Sequence, residues 1–203
     1  MNLIDRAKNM IVTPKTEWDA VNNETPNPQQ IIVQYVVPLV AIGAIATLLG
    51  WTLIGKSYNF GFASVKVKGA SLGIRYAIVA LVAGIAGTLL TAFVIDALAP
   101  SFKSEKNFGR SLQVAAYSGT PGWIGAILGI IPSLAIVGSL FGLYGLYLLY
   151  IGLPKLKKTP QENGTVYFVA ALVTMIVASF VLALILTKIL INTGSVATNM
   201  NFG

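Results

Sequence analysis

Few residues of this 203-residue chain can do acid–base or metal chemistry. It has no histidine and no cysteine, which removes the commonest general base, the commonest metal ligand and all thiol chemistry. One carboxylate, Asp96, lies near the end of a long apolar run, Leu72–Ala99. An acid inside such a run is a functional candidate by default. Its nearness to Lys103 and Lys106 points instead to a carboxylate wetted at a membrane interface. A second constellation is Tyr117, Ser118, Thr120 and Pro121. Proline lacks a backbone donor and crowds the preceding turn, so a helix broken here frees carbonyls that a hydroxyl or a wetted cavity must meet. Broken helices line the sites of some transporters, although a kink that serves packing alone is commoner. No set of nucleophile, base and metal ligands assembles, so the chain reads as a non-enzyme without cofactor or metal.

The elements that hold these residues are apolar and long. The chain is 55% hydrophobic and 10% charged. A helix needs about 20 residues to cross the hydrocarbon core, and five runs meet that length: Ile31–Ile54, Leu72–Ala99, Leu112–Ile131, Leu134–Leu153 and Val166–Ile191. The third and fourth form one stretch with no charge between Arg110 and Lys155, interrupted strongly only at Ile131-Pro132-Ser133. The expected fold is all-α: a polytopic integral membrane protein of five transmembrane helices (31–191), with a short amphipathic segment before it (1–30) and a flexible tail after it (192–203).

Glycine density in the hairpin indicates how its arms meet. Gly125-xxx-Gly129 and Gly138-xxx-Gly142 have the spacing that lets membrane helices approach closely. Those four glycines are candidate packing residues, and such faces also suit contact with other membrane proteins or with a second copy. The last run lacks glycine and is expected to face lipid.

The N-terminal residues Leu3, Ile4, Ala7, Met10 and Ile11 recur at helical spacing, and Thr13-Pro14 offers a second helix start. The segment either lies on the inner leaflet or packs beneath the bundle. Trp18 suits an interfacial anchor. In the loop after the fourth run, Lys155, Lys157 and Lys158 are candidate membrane-interface residues, each attracting anionic lipid by about 1 kcal/mol. The net charge of +7 therefore belongs to loops facing the bilayer rather than to nucleic acid. With a cytoplasmic N-terminus, nine of the fourteen Lys and Arg fall inside, which favours N-terminus in and C-terminus out.

Phe108-Gly109-Arg110-Ser111-Leu112-Gln113-Val114-Ala115-Ala116-Tyr117-Ser118-Gly119-Thr120-Pro121, then Ile131-Pro132, then Tyr144 to Leu153 and Lys155, resembles the Yip domain family of five-span proteins. Thr13-Pro14-Lys15-Thr16-Glu17-Trp18 resembles the short segment that precedes that domain in bacterial members. The resemblance implies five helices, a cytoplasmic N-terminus and a bacterial cytoplasmic (inner) membrane. Eukaryotic relatives are associated with prenylated Rab-type GTPases and carry Asp-Leu-Tyr-Gly-Pro. Here Asp96-Ala97-Leu98-Ala99-Pro100 keeps only the first and last residues, so GTPase binding is not carried over. The expected role is a scaffold or membrane-organising partner of the trafficking type; the alternative is a small transporter or channel component with a broken helix at Pro121.

Overall fold

The computed structural model describes residues 2–59, 64–131 and 134–188. The turn at 132–133, the end of the last expected span (189–191) and the tail from 192 lie outside the described residues. The elements run α1 (Leu3–Val12), α2 (Pro14–Asn22), α3 (Pro28–Ile54), β1 (Lys56–Asn59), β2 (Ser64–Val67), α4 (Ala70–Leu98), α5 (Phe108–Gly125), α6 (Ala135–Leu156) and α7 (Gln161–Leu186). Short 3-10 turns extend α4 over Ala99–Phe102 and α5 over Ala126–Ile130.

Among the described residues, three helices are long and apolar enough to cross a membrane, α3, α4 with its extension, and α7. The 18 residues of α5 span about 27 Å at 1.5 Å per residue, and a 3-10 turn continues from its end. In α6 the stretch Leu140–Leu156 is apolar. Pro38 does not break α3. A widened turn over Ile32–Val36, closed by Val37 N–H to the Ile32 carbonyl, precedes it and relieves the crowding that the proline ring imposes on the carbonyl four residues back. Between α3 and α4 a short hairpin forms, β1 and β2 pairing antiparallel with Lys56 opposite Val67.

In the bundle, α4 packs on α3, α5 and α7, while α5 and α6 pack on each other as a hairpin. The last helix buries Tyr167, Ala171 and Met175 on one stripe and exposes Val169, Val173, Ile176, Val177 and Phe180, the pattern of a helix at the edge of a bundle.

The glycine contacts correct the expected spacing. A Cβ at Gly125 would lie 2.7 Å from the Gly138 carbonyl oxygen, and one at Gly138 would lie 2.7 Å from that of Gly125. A Cβ at Gly145 would meet the Ser118 carbonyl at 2.7 Å, and one at Gly152 the Trp18 ring at 2.5 Å. The seam on α6 is therefore Gly138, Gly145 and Gly152, seven residues apart, which stays on one face over two turns where a four-residue step drifts off it. Gly142 and Gly129 have nothing within 4 Å of an added Cβ and are not seam residues. Gly129 instead presents its carbonyl to Gly50 of α3.

Candidate functional site

Helix phase decides which polar residues enter the bundle. Leu149, Leu153, Leu156 and Lys157 follow one another at i, i+4, i+7 and i+8, so the face that buries the leucines also buries Lys157, which is 0% exposed. Its ammonium reaches Asp96 Oδ1 at 2.9 Å, Ser111 Oγ at 2.7 Å and the Asn107 carbonyl at 3.1 Å. Three N–H donors thus meet three oxygens. Ser111 Oγ also lies 3.0 Å from Asp96 Oδ1. Burial pushes the Lys157 ammonium below the ordinary lysine range, and Asp96 pulls the other way.

Two expectations are corrected here. Asp96 is not a wetted interfacial carboxylate but 9% exposed and ion-paired, and Lys157 does not face lipid headgroups. Lys155 and Lys158 do lie at the surface, paired with Asp19 at 2.6 Å and Glu105 at 2.9 Å. Around the buried pair the two connecting loops lock together. Glu105 N–H bonds the Lys157 carbonyl at 2.8 Å, Ser104 Oγ meets Thr159 Oγ1 at 2.8 Å, and Asn163 Nδ2 reaches the Phe102 carbonyl at 3.2 Å. The Tyr167 hydroxyl donates to the Ile95 carbonyl and its ring stacks on Phe102.

The serine and lysine at 2.7 Å would be a nucleophile and base only if the lysine were neutral and the serine reachable. The Lys157 ammonium is ion-paired, donating to the Asp96 carboxylate, and Ser111 is 0% exposed. The arrangement clamps α4, α5 and α6 at one end.

Beside this clamp, α1 and α2 wedge against the bundle. Trp18 is 0% exposed, seated over Gly152 and 6.2 Å from the Tyr117 ring, so it is a core residue and not an interfacial anchor. Arg6, on the same face of α1 as Met10, is 4% exposed. It pairs with Glu24 and, at 2.8 Å, with Glu17 in a close contact that is not an aligned hydrogen bond, and its guanidinium stands 5.1 Å above the Tyr117 ring. The Tyr144 hydroxyl holds the end of α1 through the Ile11 carbonyl at 2.8 Å.

The constellation at Pro121 is also corrected. The helix runs unbroken through Pro121, which is buried, and Thr120 Oγ1 bonds the Tyr35 hydroxyl at 2.6 Å. Tyr117 and Ser118, adjacent in sequence, line different cavities. Tyr117 opens on a polar cavity of about 630 Å³ beneath α1. Ser118, with Gly122, Gly142 and Met175, lines a mainly apolar groove of about 450 Å³ between α5, α6 and α7. The two cavities share no lining residue. The four glycines, Asp96, Tyr117, Ser118 and Pro121 thus do not form one site; Asp96 joins Lys157, and Tyr117 joins Trp18 and Arg6.

Sequence reasoning missed Ser111, Asn107, Arg6, Glu17 and Glu24. Arg6 was legible, because it falls on the Leu3–Ala7–Met10 face.

A family model described as the Yip1 domain matches residues 8–187, which includes the clamp and most of the wedge. The "Inner membrane protein YohC" of Escherichia coli K12 is 26% identical over 154 residues, covering 74% of this chain and 78% of that protein. The protein of the same name from Escherichia coli O6:H1 matches equally. No solved structure matches the chain. With nearly the whole described length matched, the chain belongs to the Yip1 domain family.

Proposed function

We propose that this chain is a non-enzymatic scaffold of the bacterial cytoplasmic membrane, crossing it five times with its N-terminus inside and its C-terminus outside, and organising other membrane proteins or further copies of itself. The name of the Escherichia coli relatives supports the inner membrane. The observation that carries the scaffold reading is the interlocked end of the bundle, where Lys157 and Asp96, Arg6 and Glu17, and Lys155 and Asp19 join four separate elements into one surface. Exposed Lys8, Lys15 and Lys106 lie on it, available to anionic lipid and to acidic partners. Gly87, Gly122 and Gly142 leave open small-residue faces that suit helix–helix contact within the bilayer. A conduit loses its main support because the helix through Pro121 is continuous.

The experiment is capture of the tagged full chain in mild detergent, read by mass spectrometry. Membrane proteins recovered with the wild type are expected to fall at least about fivefold with Lys8→Glu/Lys15→Glu, a loss of roughly 1 kcal/mol. Solute flux through reconstituted liposomes, with no recovered partner, contradicts the reading.

A further inference from the structure

The cavity of about 630 Å³ lies between α1, the linker after α2 and the first turns of α3 and α5. Its inner wall holds two polar groups that open onto the cavity and form no hydrogen bond among the described residues. One is the hydroxyl of Tyr117, 7% exposed, and the other is the amide nitrogen of Gln113, 2% exposed. The Gln113 oxygen is already taken by Arg110 Nη1 at 3.1 Å. Both are hydrogen-bond donors facing the cavity, so the wall is suited to an acceptor brought from outside. Arg6 forms part of the same wall, and Glu24, with its side chain 39% exposed, stands beside it on the lining.

Charge narrows the ligand. Arg6 and Glu24, the charged residues of the lining, pair with each other, so a ligand with net charge leaves that charge uncompensated. A neutral ligand with an acceptor-rich anionic end and a cationic end fits: the first meets Tyr117, Gln113 and Arg6, the second meets Glu24. Oxygens of a phosphate diester and a primary ammonium have that arrangement. Next to lining residues Leu3 and Gln34, Ile4 and Val33 are 68% and 59% exposed, an apolar margin that the chains of a lipid would cover and a soluble solute would not. We propose that this cavity binds the phosphoethanolamine headgroup of a bilayer lipid, seated between the N-terminal wedge and the bundle.

Native mass spectrometry of the purified full chain tests this with dioleoyl phosphatidylethanolamine, phosphatidylcholine and phosphatidylglycerol at equal mole fraction. One phosphatidylethanolamine per chain is expected, retained in preference to the others, because a quaternary ammonium cannot donate to Glu24 and a glycerol headgroup has no cation. Tyr117→Phe should weaken retention about fivefold with unchanged melting, since the hydroxyl makes no bond among the described residues. Gln34→Trp, at an exposed lining position, should abolish it. Displacement by soluble glycerophosphoethanolamine at a matching concentration would support the same chemistry but assign the site to a free phosphate ester. Equal retention of all the lipids, or retention of phosphatidylethanolamine unchanged in both variants, overturns the proposal.

Discussion

Lys157→Met is expected to lower the stability of the purified protein by about 3–5 kcal/mol, because it leaves the Asp96 carboxylate buried without its cation. The residue is fully enclosed and all three of its donors are used, so no water stands ready to replace it. Asp96→Leu alone should cost a similar amount by stranding the ammonium. The double variant should recover most of the loss, since a well-packed apolar pair often matches a buried ion pair. Unfolding in mixed detergent, read by tryptophan fluorescence, measures all three. Additive losses in the double variant would show that the two residues act separately.

Gly125→Leu is expected to cost about 3 kcal/mol or more, whereas Gly142→Leu should leave the melting temperature within about a degree or two of wild type. The side chain at 125 would be driven into the Gly138 carbonyl and Phe141, both at 2.7 Å from its Cβ, and backbone cannot move aside there without separating α5 from α6. At 142 the same side chain enters open space beside the Ser118 groove. Thermal unfolding in detergent checks both. Equal losses would show that Gly142 is also packed.

The contrast between these glycines shows what the sequence made legible. Segment lengths and the absence of charge between Arg110 and Lys155 located the helices, because burial in lipid constrains composition strongly. The seam was misplaced because a four-residue glycine step reads the same whether it faces a helix or a cavity. Asp96 and Lys157 were each noticed, but 61 residues separate them and only tertiary packing joins them. Helix phase carried part of the missing information: Lys157 is in register with Leu149 and Leu153, as Arg6 is with Met10. Trp18 was misassigned because a tryptophan near a membrane surface suits the interface and a glycine notch equally well. What identified its place is Gly152, 134 positions away in sequence.

In the proposed topology the wedge and both interlocked loops form one cytoplasmic surface while the β1–β2 hairpin lies across the membrane. Single cysteines at 15, 106 and 68, in a chain that has none of its own, test it with a membrane-impermeant thiol reagent on intact spheroplasts and on inverted vesicles. Lys15→Cys and Lys106→Cys are expected to react only in inverted vesicles and Lys68→Cys only in spheroplasts. Reaction of Lys106→Cys and Lys68→Cys from the same side would contradict it.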